Sequence, residues 1–308
     1  MRKIVILVTS VVLAFACNKV DSTKGKVEND EVKKITVTVS NYKLDGSLQT
    51  KTAIQSNGDF QWAANDTLGI YPSGGAQVYF VVNPGANAQY ASFDGGGWNF
   101  KYSYTYYGYY PFIGNIYLDK RHIHVDYTGQ KQTGLESMDH VGKHDFMWSP
   151  GVSAEAGSLN FNFHHLNCII RNTLTLPAGT YTKLAITAPS NLFVKKGHYD
   201  LTAATPAIVG DEFTNQIQID LEGITIASET TFKVYLMSAP VDLKGKNITV
   251  SVLNSNKMEL QCTKTPSKAY EAEMMYGLTC SSWTEVPQSM GFILEDWGNG
   301  GSIGGDAD

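Results

Sequence analysis

The chain has 308 residues, with 24 lysines and arginines against 29 acids and a net charge of −5. Without a basic stripe that balance argues against nucleic acid as a partner. Sparse charge (17%) with 17 tyrosines and 29 glycines is the composition of β-sheet and turns, not of helical bundles.

Arg2 and Lys3 form a positive start, and Ile4 to Ala16 form a thirteen-residue apolar run. That run is too short to span a bilayer, so residues 1–16 read as a secretory signal peptide. It ends in Ala14-Phe15-Ala16-Cys17, which looks like a lipobox, although Phe15 departs from the small residue favoured there. Cys17 is the expected lipidation site: its sulfur takes a diacylglycerol, the chain is cut before it, and the mature start is acylated. Several acyl chains hold a protein firmly, because each buried methylene adds roughly 0.8 kcal/mol. The plainer alternative is ordinary cleavage beside an incidental cysteine. Residues 17–34 alternate acids and lysines with few apolar groups, as a flexible tether does.

Ile35-Thr36-Val37-Thr38-Val39-Ser40 places Ile35, Val37 and Val39 on one face and three hydroxyls on the other, the signature of a half-buried strand. Strand candidates continue at residues 60–62, 67–71, 78–82, 90–93, 102–110 and 122–126. A second series covers 159–163, 168–176, 183–187, 216–221, 231–236, 247–252 and 258–263. Gly, Pro, Asn and Asp clusters bound them, as sandwiches with frequent turns require. Only 136–140 and 270–278 hint at helical turns. The expected fold class is all-β, two tandem β-sandwich domains over 35–153 and 154–297, divided in the small-residue stretch 149–157. A glycine-rich tail, 298–308, follows.

Three cysteines remain in the body: Cys168, Cys262 and Cys280. Their odd number and irregular spacing fit neither a disulfide framework nor a zinc motif. Cys168 reads as a buried thiol, and whether Cys262 and Cys280 pair stays open.

His122-Ile123-His124 puts two imidazoles on one strand face, a spacing suited to a metal ion. The sequence names no third ligand, and a solvent-facing pair is the plainer reading, so no metal site is assigned. Asp139-His140 and His144-Asp145 form a second polar cluster, and His164-His165 point to opposite faces of one strand. No nucleophile elbow, phosphate loop, HExxH or CxxC is present. The expectation is therefore a protein without catalytic residues or cofactor, not an enzyme. The tyrosine-rich run 102–110 has two readings. Its rings pack half into a core, or they stack on sugars as an adhesive face. The second would make the chain a surface glycan-binding lipoprotein.

Several phrases, in order, resemble the Mfa-like branch of the fimbrillin family, subunits and anchors of Bacteroidia type V pili. They are Thr50-Lys51-Thr52-Ala53, then Phe60-Gln61-Trp62 leading to Asn65-Asp66-Thr67-Leu68-Gly69-Ile70-Tyr71. Tyr109-Tyr110-Pro111-Phe112, Gln130 to Gln132 and His144-Asp145-Phe146-Met147-Trp148-Ser149 follow. Leu159 to Leu166 and Trp297 complete the set. The resemblance implies two transthyretin-like sandwiches behind a lipoprotein signal, on the outer membrane and in the fimbrium. It implies pilus subunits as partners, joined by exchange of the first strand after proteolysis. Host or bacterial surface glycans and proteins are further partners that an adhesin would take.

Under that resemblance Ile35, Val37 and Val39 belong to the exchangeable strand, and Lys51-Thr52 is the candidate processing site. Lys51 stands where the family usually has an arginine. The mature chain has only Arg121 and Arg171. Either a lysine-tolerant protease acts, or the first strand is kept and the protein is an anchor, tip or adhesin. Phe292 to Trp297 reads first as the last strand of the second domain and second as a donor for a neighbour.

Overall fold

A computed structural model describes residues 34–45, 61–63, 65–82, 90–93, 101–114, 121–155 and 157–287. Alternating apolar residues build four sheets from twenty strands, and one four-residue helix, Val141–His144, is the sole helix among the described residues. The fold is all-β. No helix of the described chain is long and apolar enough to cross a membrane.

The largest sheet has eight strands. Its order is Val78–Val81, Thr67–Pro72, Thr105–Tyr110, Met147–Trp148, Ser158–His165, Lys34–Val39 and Tyr90–Phe93, with Val152–Ser153 paired to Thr105–Tyr110. Ile35, Val37, Leu68, Ile70, Phe161 and Phe163 pack beneath it. A four-stranded sheet (Thr230–Ser238, Cys168–Leu176, Met274–Cys280, Lys43–Leu44) and a five-stranded sheet (Gln216–Ile226, Gly179–Thr187, Ile248–Asn254, Met258–Lys264, Thr284–Pro287) enclose a second core that includes Ile170, Leu184, Ile219 and Val250. Val209–Thr214, Phe193–Asp200 and His122–Asp126 form a three-stranded sheet. Its Ile123, Val125 and Tyr199 join Tyr42, Tyr109, Tyr235 and Met275 in a third core, which draws on strands from both halves of the chain.

Strand membership crosses the region of residues 149–157. Ser158–His165 follows it in sequence yet pairs with Lys34–Val39 in the first sheet, whereas Lys43–Leu44 precedes it and pairs with Met274–Met275. Two local expectations differ from the structure. The turn foreseen over 270–278 is largely the strand Met274–Cys280, held in parallel register to Ile169–Leu174. Tertiary pairing overrides the weak helical pattern there. The turn foreseen over 136–140 becomes a helix only at Val141–His144.

Phe193–Asp200 and Val209–Thr214 went unforeseen, because Lys195, Lys196 and Gly197 interrupt the alternation where the pairing carries β-bulges. Gln61 and Trp62 lie outside any strand; Trp62 is wholly buried, edge-on to Tyr110 and Phe163. Cys168, Cys262 and Cys280 are buried free thiols.

One end of the four-stranded sheet is Thr230–Ser238, whose outer backbone groups would otherwise lack a partner. Gln130 and Gln132 cover them. The amide oxygen of Gln132 accepts from Tyr235 N–H at 3.1 Å, and that of Gln130 from Met237 N–H at 2.8 Å. Their amide nitrogens donate to Lys233 and Met237 carbonyls.

Candidate functional site: the slot of the first strand

Lys34–Val39 lies between two neighbours. Ile35, Val37 and Val39 stand opposite Leu159, Phe161 and Phe163 in parallel register. On the other side Ile35 and Val37 stand opposite Phe93 and Ala91 in antiparallel register. Ile35 and Val37 have no exposed surface and Val39 keeps 6%. Full burial of a β-branched aliphatic side chain contributes about 1.5–3 kcal/mol. The alternate residues lie on the opposite face, Thr36 covered and Thr38 exposed, and bind laterally: Thr36 to Asn160, and Thr38 Oγ1 to Asn162 Oδ1 at 3.0 Å. One strand thus supplies three apolar anchors and a hydroxyl ladder, the pattern expected of residues 35–40.

Beyond Val39 the chain leaves the first sheet for the second. Ser40 N–H donates to Phe163 O at 3.1 Å, Lys43 N–H to Glu273 O at 2.7 Å, and Asp45 N–H to Met275 O at 2.9 Å. Lys43 and Lys268 add ion pairs to Glu273 and Asp45. Residues 34–45 therefore complete one sheet and extend another.

Between the two attachments Tyr42 turns inward. Its ring stacks on His165 at 3.9 Å, and its hydroxyl donates to Asp145 Oδ1 at 2.6 Å. The same oxygen meets His165 Nδ1 at 2.8 Å and accepts from Asn167 Nδ2 at 3.1 Å. His165 Nε2 lies 2.7 Å from Ser40 O, and Tyr127 O–H donates to Asn167 Oδ1. Burial first, and then the Asp145 charge, push the Tyr42 hydroxyl well above its ordinary value; it stays a donor.

Sequence reasoning singled out His144-Asp145 and His164-His165 but missed the meeting of Asp145 and His165 with Tyr42 and Asn167. The only sequence signal was the position of Tyr42, an aromatic set just past an alternating strand. His164 and His165 do point apart: His164 Nδ1 reaches Glu273 at 2.8 Å, away from Asp145.

Cys17, Lys51 and Thr52 lie outside the described residues. The tyrosine run serves the interior. Tyr106, Tyr109 and Tyr110 are buried, Tyr104 and Tyr107 are half-buried, and Tyr102 is 39% exposed. Tyr104 and Tyr106 thus do not form an exposed sugar-stacking pair. His140 is also inward, its Nε2 at 2.7 Å from Tyr235 O.

A family described as fimbrillin-like matches residues 50–284. No curated protein is significantly similar. Among solved structures, a provisionally named cell adhesion protein of Bacteroides uniformis superimposes with a TM-score of 0.52 at 16% identity, covering 84% of this chain and 98% of its own. A protein of the same provisional name from Bacteroides ovatus gives 0.51 at 14% identity, covering 86% and 99%. At such identities the likeness is one of fold.

Proposed function

The chain belongs to the fimbrillin-like family, and we propose that it works as a lipid-anchored pilus subunit or adhesin that joins neighbouring subunits by exchanging its first strand. Fimbrillins are structural and adhesive proteins, not enzymes, and other pilus subunits are their partners.

One observation carries the strand-exchange reading: residues 34–45 fill a slot in one sheet through Ile35, Val37 and Val39, bury Tyr42 in the core beyond it, and extend a second sheet through Lys43-Leu44. Cutting at Lys51-Thr52 and withdrawing that segment would bare backbone groups on Ser158–His165, Tyr90–Phe93 and Met274–Met275, beside an apolar groove. An extended chain from a neighbour would satisfy both, by strand addition. The sequence offers a donor. Met290, Phe292, Leu294 and Trp297 repeat the spacing of Ile35, Val37, Val39 and Tyr42, so a neighbour's 290–297 would present three apolar anchors and one aromatic in the same register. Lys51 is the candidate cleavage residue because it stands where the family usually has an arginine, and Arg171 is buried within its strand. Cys17 would hold the mature protein, or its unprocessed form, on the outer membrane through acyl chains.

The test is N-terminal sequencing of surface material together with electrophoresis of unheated samples. A start at Thr52 with heat-resistant ladders is the expected result. An acylated Cys17 start with monomer alone would overturn strand exchange and leave an unprocessed anchor or adhesin.

A further inference from the structure

The His122-x-His124 pair stands on the outer face of the three-stranded sheet, while Ile123 and Val125 fill the core beneath it. Pairing brings a third imidazole to the same face. His198 is the direct register partner of His124, with Asp200 opposite His122. Its ring centroid lies 5.1 Å from that of His122 and 6.0 Å from that of His124. His198 is therefore the central ring of three.

The next strand supplies a fourth group. Asp211 on Val209–Thr214 meets His198 Nδ1 with both carboxylate oxygens, at 2.9 and 3.0 Å. A carboxylate bound to Nδ1–H fixes the neutral tautomer whose lone pair sits on Nε2, and it fixes the plane of the ring. This is the usual arrangement behind a metal-ligating histidine. All three histidines are half-buried, so they are shielded enough to hold an ion and open enough to admit one.

We propose that His122, His124 and His198 bind a divalent transition-metal ion of the zinc class on the outer face of this sheet, with Asp211 orienting His198. Three imidazoles from a His-x-His strand and its neighbour are a recognised donor set for zinc, with nitrogens at about 2.0–2.1 Å and a fourth position left for water or an incoming carboxylate. Among the described residues no three ligating side chains already gather around a point. Binding would turn the half-exposed His122 and His124 rings toward His198, whose plane Asp211 fixes and whose backbone spacing from them the register sets.

Untagged protein, stripped with chelator, is titrated with zinc by calorimetry and with cobalt(II) by visible absorption. The expected result is one ion per chain with a tetrahedral cobalt spectrum. His124→Ala and His198→Ala should abolish both signals, and Asp211→Asn should weaken zinc binding roughly 10–100-fold. His122→Gln serves as the further variant if either alanine change lowers the melting temperature. The proposal is overturned if wild-type protein shows no saturable binding, or if folded variants bind as tightly as wild type.

Discussion

Tyr42 donates its hydroxyl hydrogen to Asp145 across 2.6 Å, and both side chains are hidden from solvent. Neither residue belongs to a strand, yet their bond pins the N-terminal segment where it passes from one sheet to another. Tyr42→Phe keeps the ring on His165 and removes the hydroxyl with its bond to the buried Asp145 carboxylate and its contact with Asn167. Urea unfolding should show a loss of about 1.5–3 kcal/mol, with the denaturant slope unchanged. A loss under a few tenths would mean that the hydroxyl is dispensable.

The slot itself is tested by Ile35→Ala. A wholly buried isoleucine truncated to alanine costs about 2–5 kcal/mol. Thr38→Ala, on the exposed face of the same strand, should cost far less. Equal losses at the two positions would refute the inward and outward assignment.

Acid should weaken the fold through His140 and His144. His140 is buried with Nε2 at Tyr235 O, and burial, larger than the opposing effect of that carbonyl, lowers its value from 6.5. The unfolded chain then takes up the proton first as pH falls through about 6.5. Stability is full above that pH, declines between it and the folded value, and levels off below. His144, lowered in the same way by burial, adds to the effect. Melting temperatures from pH 8 to 5, with imidazole titrations by NMR, check it; a rise in melting temperature on acidification would contradict the sign.

Gly69 is the register partner of Tyr109, whose ring covers it. A Cβ there would stand 2.2 Å from the ring, and the ring is tethered, since its hydroxyl donates to Gln77 Oε1 at 2.8 Å. Gly69→Ala should cost about 1–3 kcal/mol through overpacking. Gly134→Ala, with open space around it, should leave the melting temperature nearly unchanged.

The first strand and its inward face were legible because Ile35, Val37 and Val39 alternate with hydroxyls, and period two is a local signal. The all-β class and most later strands were legible for the same reason. Pairing was not. Nothing near Lys43-Leu44 announces that it extends a sheet through residues 274–275, and nothing near His122 names His198. Asp145, His165 and Tyr42 meet because three sheets converge on them, and such convergence has no period to read. Bulged Phe193–Asp200 escaped because its charged middle breaks alternation.

The partner of Thr36 across the first sheet is Asn160, 124 positions later in the chain. A polypeptide threaded outward from its N-terminus would emerge with residues 34–39 long before that neighbour. Contacts of such long range make for slow closure, so the nascent molecule would spend an interval with its own strand undocked and the berth unoccupied. Under the proposed strand exchange, that berth would meanwhile be open to intramolecular and intermolecular occupants alike, and timing, as much as affinity, would decide which one fills it.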